Sequence, residues 1–294
     1  MMDEMQYRTR SQTYKTLFSD SSRWDHFIER RDDVFICTPP KSGTTWTQTI
    51  CALLSLGWDD FTVNLSDISP WYDATFESVE QTNLLLNTMQ HRRFIKTHTP
   101  LDGISYSPNA TYITVYRDPR DVFFSMQNHM RNMNLPVGTA LPASSVHFRD
   151  WVLRPSKAGV KSLFSLEAII HHYQSFKQYS KHKNIHFLHF ATMKQDPESA
   201  VREIAKILGV SVDSSGVSSV VQQSSFANMR ANPKQFTPNV DLELWKNDED
   251  FFVSGQNNQW QGILSEADLS VYTARLNDLL KAHESAWIST GIKT

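Results

Sequence analysis

The residues best suited to chemistry lie in one short loop, which has the sequence T-P-P-K-S-G-T-T-W at positions 38–46. Small and hydroxyl residues surround Lys41 ahead of a predicted helix. They offer backbone N–H groups and the positive end of a helix dipole to a phosphate. The loop is not a Walker A sequence, because Lys41 precedes Ser42 and Gly43 instead of following a glycine. It therefore predicts a phosphate-binding loop, with a Gly/Ser/Thr-rich helix cap as the plainer alternative.

Four apolar runs predict the strands that position this loop. Residues 33–38, 93–97, 112–116 and 185–190 are short and rich in β-branched and aromatic residues, which is typical of buried strands. Amphipathic segments separate these runs. Strands that alternate with helices form a parallel sheet covered on both faces, so the sequence predicts a three-layer α/β/α fold with a central parallel sheet.

The predicted helices have capping residues at their ends. The helix after the loop covers about residues 44 to 56 and stops at Gly57, a usual C-terminal residue. The helix after the third strand starts at Pro119, with Asp118 as its N-cap. Three further helices are predicted to begin near Leu166, Pro197 and Ser265.

Two segments lack helical or strand periodicity. Residues 1–32 are predicted as a polar N-terminal lead-in. Residues 131–160 are predicted as a long loop, and loops of that length in a compact domain are usually lids or binding segments. We assign residues 1–294 to a single domain, in which the second segment is a substrate loop.

Composition excludes several classes of partner. The chain has 294 residues, with 29 Lys and Arg against 31 Asp and Glu and only 2 cysteines. Proteins that coat nucleic acid or an anionic membrane need an excess of cations, so neither partner is expected. Cys37 and Cys51 cannot form a disulfide framework, and neither a signal peptide nor an 18-residue apolar stretch is found. A cytoplasmic location is expected.

Three motifs, in this order, resemble those of the cytosolic sulfotransferase family. The loop at 38–46 matches T-Y-P-K-S-G-T-T-W except at Pro39, residues 95–101 match V-K-T-H-x-P-L, and residues 116–125 match the strand followed by R-(N/D)-P-(K/R)-D-V-x-x-S. Weaker matches follow at 193–197 and at 224–233, the latter similar to T-S-F-x-x-M-x-x-N-P. The resemblance spans most of residues 30–265 and is closer to bacterial small-molecule members than to the vertebrate steroid and phenol enzymes.

The resemblance implies the P-loop-like sulfotransferase fold and transfer of a sulfuryl group from 3′-phosphoadenosine 5′-phosphosulfate (PAPS) to a hydroxyl or amine of a small-molecule acceptor. The product nucleotide is 3′,5′-ADP (PAP), and no metal is required. In this scheme His98 is the general base, Lys41 stabilises the leaving oxygen and Lys96 lies by the sulfuryl oxygens. Ser125 links the 3′-phosphate to Lys41. The implied cofactor-binding residues are Lys41, Ser42, Gly43, Thr44, Thr45, Trp46, Arg117, Ser125, Phe190, Ser224, Phe226 and Gly255.

The sequence departs from the family pattern near its C-terminus. Residues 234–264 correspond to a loop that caps the cofactor, in which the family commonly has R-K-G-x-x-G-D-W. Here residues 253–260 keep Gly255 and Trp260 but lack both cations. Ser254, Asn257, Asn258 or backbone N–H groups are candidates to replace them. The family dimer motif K-x-x-x-T-V-x-x-x-E is also absent from residues 261–266, so the oligomeric state stays open.

Each residue assignment has a structural alternative. His98 alone could be a structural histidine, Arg117 an ion-pair partner of a neighbouring aspartate, and Trp46 part of the core. Five further histidines lack the spacing of a metal site, so packed or solvated side chains are favoured for His171, His172, His182, His186 and His189.

Two other functions compete with sulfuryl transfer. The missing Arg-Lys pair suggests an adenine-nucleotide-binding protein without turnover, and an ATP-dependent small-molecule kinase is the weaker alternative. The acceptor is interpreted as a microbial natural product, with a polar alkaloid as one candidate. A cationic or polyhydroxylated acceptor could meet the carboxylates Asp67, Asp73, Glu77, Asp102 and Asp150, although solvated loop carboxylates are favoured.

Overall fold

A parallel sheet of four strands carries the fold. The computed structural model describes residues 7–58, 62, 64–134, 146–155, 164–238 and 242–292. Within these ranges the strands are β1 (Val34–Cys37), β2 (Phe94–Thr97), β3 (Thr111–Tyr116) and β4 (Ile185–His189), in the spatial order β2-β1-β3-β4. All three strand pairs are parallel. The strands agree with the four predicted runs to within one residue at each end.

Helices connect and cover the strands. In chain order they are α1 (Thr44–Leu56), α2 (Leu65–Ile68), α3 (Val79–Thr88), α4 (Pro119–Asn132), α5 (Phe148–Leu153), α6 (Leu166–Lys177), α7 (Phe190–Gln195), α8 (Pro197–Leu208), α9 (Ser214–Gln223), α10 (Phe226–Ala231), α11 (Pro233–Phe236), α12 (Glu266–Leu279) and α13 (Ala282–Thr290). Short 3₁₀ helices cover Ser21–His26, Leu101–Gly103 and Glu249–Phe251.

Alternate residues of each strand face opposite layers. Val34 and Ile36 of β1 pack with α1, α8 and α9 on one face of the sheet. Phe35 and Cys37 pack on the other face against Trp24 of the N-terminal segment and other buried aromatic rings. Both faces are therefore covered, and the predicted three-layer α/β/α arrangement is confirmed.

The predicted helix caps are also confirmed. Gly57 follows α1 with φ 102°, a positive value that glycine adopts without a steric penalty. Asp118 accepts a hydrogen bond from the Arg120 N–H at the start of α4. Ser265 and Asp268 form a capping box at the start of α12.

Two boundaries differ from the sequence prediction. The loop predicted over 131–160 contains α5, because Phe148, Trp151 and Val152 form a buried face that packs against α6 and α12. Of the rest of that loop, the structure describes only its first four residues and the two residues on either side of α5. Strand β4 ends at His189, and Phe190 begins α7 instead of ending the strand. Short helices that depend on packing more than on periodicity, such as α5 and α7, escaped the sequence prediction.

A buried ion pair holds the beginnings of β1 and β2 together. The Arg93 guanidinium donates from Nε to Asp33 Oδ1 at 2.7 Å and from Nη2 to Oδ2 at 2.6 Å. Their side chains are 1% and 0% exposed, respectively. Arg93 also donates to the Ile28 carbonyl, so the N-terminal segment is tied to the same point. A bidentate pair of this kind fixes the relative position of two strands.

We expect Asp33→Ala to lower the free energy of unfolding by about 3–5 kcal/mol, because it leaves the Arg93 charge buried without a partner. Urea unfolding followed by circular dichroism measures the loss. Arg202→Ala, which removes a more exposed i,i+4 pair with Glu198 at 4.0 Å, is the control and should cost about 0.5 kcal/mol or less. Equal losses in the two variants would contradict this role for the buried pair.

Candidate active site

Three loops meet at the carboxyl edge of the sheet. Because β1, β2 and β3 are parallel neighbours, the residues that follow them lie at the same edge. Lys41 follows β1, His98 follows β2 and Arg117 follows β3. All three line one cavity of about 1000 Å³. Parallel pairing is therefore what gathers the three sequence motifs into one site.

The structure brings nearly all the predicted site residues to this cavity. Its wall includes Lys41, Gly43, Thr44, Thr45, Trp46, Lys96, His98, Arg117, Ser125, Phe190, Ser224, Phe226 and Gly255. Ser42 is fully buried and does not line the cavity. Its Oγ has no hydrogen-bond partner among the residues that the structure describes.

The wall of the cavity is cationic. Its charged residues in the described part of the chain are Lys15, Lys41, Lys96, Arg117, Arg154 and Lys194, and none of the described lining residues is an aspartate or glutamate. Clustered cations without carboxylates repel one another and attract an anion. The cavity is therefore suited to an anionic ligand.

Lys41 is the most strongly perturbed of these cations. Burial, together with the charges of Arg117 and Lys96, lowers the pKa of its ammonium to about 7. Its Nζ lies 3.1 Å from His129 Nδ1 and 4.6 Å from the centre of the Phe251 ring. Thus the described contact of Lys41 is with His129, one helical turn beyond Ser125, and not with Ser125 itself.

His98 is positioned to act as a base. Its Nδ1 lies 2.8 Å from the Thr38 carbonyl oxygen, which can only accept a hydrogen bond. Nδ1 must then carry the proton, which leaves Nε2 with a free lone pair. Burial and the nearby Lys96 hold the pKa of His98 well below its usual range. The imidazole is therefore neutral near pH 7.

A buried carboxylate supports the segment around His98. Asp73 Oδ2 accepts hydrogen bonds from the hydroxyls of Thr97 and Thr99, the two neighbours of His98 in sequence. Its charge also opposes the effect of burial on Lys96, whose pKa is lowered to about 8. Lys96 Nζ lies 4.8 Å from the centre of the Trp71 ring, which also contacts His98 edge-on. Asp73 thus fixes the two residues that flank His98, and its charge acts on the neighbouring Lys96.

Arg117 is buried at the edge of the site. Its Nη2 donates to the Gln256 carbonyl at 2.6 Å, and its guanidinium lies 4.5 Å from the centre of the Phe190 ring. The neighbouring Asp118 pairs with Arg120 at 2.7 Å instead. Arg117 is therefore not engaged as an ordinary ion-pair partner among the described residues, and its Nε has no hydrogen-bond partner there.

Aromatic rings form another part of the wall. Trp46 and Phe190 meet edge to face with ring centres 5.6 Å apart, and Trp46 Nε1 donates to Ser224 Oγ at 3.4 Å. Gly255 has φ 57°, and a side chain there would place its Cβ 2.5 Å from the Phe226 ring. The C-terminal loop therefore packs its backbone directly on Phe226. Such a wall suits a flat aromatic base.

Two cavity residues were missed by the sequence prediction. His129 lies four residues after Ser125 on α4, so helical periodicity places both on the same face. Lys194 lies inside a motif that resembles the family, but no role was assigned to it. The spacing from Ser125 was the available signal for His129.

Four of the five histidines counted as a possible metal cluster have protein partners, namely His171, His172, His182 and His189. His172 Nδ1 lies 3.0 Å from the Tyr116 hydroxyl, and His189 Nε2 lies 3.1 Å from the Ile288 carbonyl oxygen. In the described ranges, no group of three or more His, Cys, Asp or Glu side chains is placed to hold a metal ion. None of the helices described here is both long and apolar enough to cross a bilayer.

The fold and the cavity together define a class: α/β proteins that hold an anionic group at the carboxyl edge of a parallel sheet. The profile of the Sulfotransferase domain family matches residues 31–282. A glycolipid sulfotransferase of Mycobacterium bovis is 31% identical over 307 residues, covering 95% of this chain and 94% of that protein. Sulfotransferase 1E1 of Bos taurus is 25% identical, with 92% of this chain and 88% of that protein covered.

Two solved structures share the fold. Mouse sulfotransferase SULT7A1 complexed with PAP superposes with a TM-score of 0.69 at 20% identity, covering 92% of this chain and 93% of that chain. Retinol dehydratase in complex with retinol and PAP gives a TM-score of 0.70 at 18% identity, covering 89% and 84%. The chain belongs to the sulfotransferase family, and the resemblance in its motifs is confirmed.

We expect the Lys41 ammonium to lose its proton near pH 7, because its charge is buried among other cations. Lysines labelled by reductive ¹³C-methylation report each titration by NMR, and Lys41→Arg identifies the resonance by removing it. Lys96, with a pKa of about 8, should give a second perturbed titration. The electrostatic description is wrong if every lysine resonance titrates above pH 9.

Proposed function

We propose that this sulfotransferase moves the sulfuryl group of PAPS to a hydroxyl of an amphipathic acceptor of the glycolipid type. The observation that carries the proposal is that His98, whose Nε2 is unprotonated, lines the same cavity as Lys41 and Lys96. A neutral base beside two cations matches the needs of an anionic group transfer. The PAP bound in the structural relatives and the glycolipid named for the mycobacterial relative support the donor and the acceptor class.

The proposed reaction is an in-line displacement at sulfur. The acceptor oxygen forms a bond to sulfur while the bond from sulfur to the bridging phosphate oxygen breaks, and the acceptor proton passes to His98 Nε2. Lys41 stabilises the charge on the bridging oxygen, and Lys96 stabilises the sulfuryl oxygens. The products are a sulfate ester and 3′,5′-ADP. The catalytic contribution is positioning and charge stabilisation, as in phosphoryl transfer.

The nucleotide is proposed to lie along the motif residues. The loop residues Gly43 to Trp46 and the N-terminus of α1 hold the 5′-phosphosulfate, where backbone N–H groups are free to donate. The adenine lies by the aromatic wall formed by Trp46, Phe190 and Phe226, with Ser224 and Gly255 at its border. Arg117 and Ser125 hold the 3′-phosphate.

The remaining wall of the cavity favours an apolar acceptor body. Leu17, Phe18, Trp71 and Phe76 line it on the side of His98, and the Phe18 and Phe76 rings are 6.0 Å apart. A cationic alkaloid is disfavoured, because none of the five carboxylates suggested from the sequence lines the cavity and Asp73 is buried beneath it. Arg154, inside the proposed substrate loop, and Phe164, shortly after it, do line the cavity. An uncharged sugar carrying an alkyl chain fits these surfaces.

We expect His98→Asn to lower kcat by about 10²- to 10⁴-fold, because asparagine can keep the hydrogen bond to the Thr38 carbonyl but cannot take a proton. Release of 3′,5′-ADP from PAPS with a saturating acceptor measures the rate. His283→Ala, which changes an exposed histidine on α13, is the control and should leave the rate unchanged. Retention of more than a tenth of the activity by His98→Asn would exclude this residue as the base. Binding of 3′,5′-ADP without turnover by the unaltered protein would favour the non-catalytic alternative.

We expect kcat/KM to be at least about tenfold higher with octyl glucoside as the acceptor than with methyl glucoside. Each buried CH₂ contributes about 0.8 kcal/mol, so two buried groups suffice for a tenfold change. Phe76→Ala should reduce this gain, whereas Leu84→Ala, at a 66% exposed position on α3, should not. A kcat/KM independent of chain length would argue against a lipid-type acceptor.

A further inference from the structure

The C-terminal loop of this protein lacks the two cations that its family commonly places at the 3′-phosphate. Val253 and Ser254 stand at those positions. The backbone N–H groups of Asn258 and Gln259, which were candidates to compensate, both donate to the Asp121 carboxylate, at 2.9 and 2.7 Å. The loop therefore has no cation at either position, and two of its candidate backbone donors are engaged by Asp121.

A cation from another element reaches this loop. Lys194, in the last turn of α7, donates from Nζ to the Gly255 carbonyl. Arg117 donates from Nη2 to the next carbonyl along the chain, that of Gln256, at 2.6 Å. Two consecutive carbonyls therefore bind the two cations, and the charge of Arg117 acts on the Lys194 ammonium and lowers its pKa, in addition to the effect of burial.

The geometry of the loop keeps these carbonyls in place. Asp121, in the first turn of α4, binds the loop at Asn258 and Gln259, while Gly255 packs against the Phe226 ring. Lys194 and Arg117 both line the cavity, and neither forms an ion pair with a carboxylate in the described part of the chain. The charge of Asp121 acts on both, and its two oxygens accept hydrogen bonds from the loop.

Arg117 retains unused capacity for an anion. It is 5% exposed, and its Nε has no hydrogen-bond partner among the described residues. A buried donor without a partner is unfavourable unless a ligand completes it. Its two other nitrogens donate to neutral carbonyl groups, those of Lys41 and Gln256, and not to a carboxylate.

We propose that Lys194 and Arg117 together form the subsite for the donor's 3′-phosphate, with Lys194 supplying positive charge that the C-terminal loop lacks. This assignment rests on the proposed function, because it takes PAPS as the donor. The loop acts here as a backbone scaffold that holds two cations, and the phosphate oxygens add the negative charge. Lys194 is a specificity-determining residue for the 3′-phosphate and takes no part in the chemistry.

Calorimetry with a matched pair of nucleotides tests the proposal, since 3′,5′-ADP carries the 3′-phosphate and a 5′-AMP control lacks it. We expect Lys194→Gln to weaken 3′,5′-ADP binding about 10- to 100-fold, the range for a lost hydrogen bond to a charged group. Binding of 5′-AMP should change less than twofold. Lys194→Arg should restore 3′,5′-ADP binding to within about threefold, and Lys206→Gln, at an exposed position on α8, should have no effect.

Equal weakening of both nucleotides by Lys194→Gln would show that Lys194 only tethers the loop, which overturns the proposal. Unchanged 3′,5′-ADP binding in that variant also overturns it, while the proposed function stands. If the unaltered protein binds neither nucleotide, PAPS is not the donor and the proposed function fails as well. Binding of 5′-AMP by each variant shows that it is folded.

Discussion

Mutual repulsion among desolvated cations is the interaction that the site depends on. Lys41, Lys96 and Arg117 are charged groups in one cavity, and no described carboxylate lines it. The protein holds them with neutral partners: an imidazole and a ring for Lys41, a ring for Lys96, and carbonyl groups for Arg117. Neutral partners fix a cation in place without cancelling its field. A bound dianion then supplies the opposite charge and reduces the repulsion among the cations.

The rest of the molecule keeps these groups close despite their repulsion. Hydrogen bonding between parallel strands sets the spacing of the three loops, and helices on both faces prevent the strands from separating. The Asp33–Arg93 pair lies at the opposite, amino end of β1 and β2. One end of the sheet thus has its charges paired and fixes the scaffold, whereas the other end has charges left unpaired for a ligand. Parallel topology makes this division possible, because it sends every strand's end to the same edge.

The sequence predicted those features that depend on neighbouring residues in the chain, namely strands and helix ends. Apolar runs predicted the four strands, and Gly57, Asp118 and Ser265 marked helix ends, because capping requires particular side chains or φ angles. The sequence motifs also predicted the residues around the cavity, except that Ser42 is buried and does not line it. The sequence could not reveal long-range contacts. The pairing of Lys41 with His129, the support of His98 by Asp73, and the approach of Lys194 to Gly255 join residues that lie far apart in the chain. The helix α5 was missed because its stability comes from burial of Phe148 and Trp151 against other helices.

The contacts of the C-terminal loop with Arg117 and Lys194 are made through main-chain carbonyls. Every residue type has a carbonyl group, so these contacts survive substitution of almost any side chain in the loop. Gly255 is the exception, since Phe226 leaves no space for a Cβ. These contacts therefore depend on backbone shape more than on the identity of the side chains. Searches that require an Arg-Lys signature at this loop would overlook such proteins, whereas a search for a glycine packed on an aromatic ring would retain them.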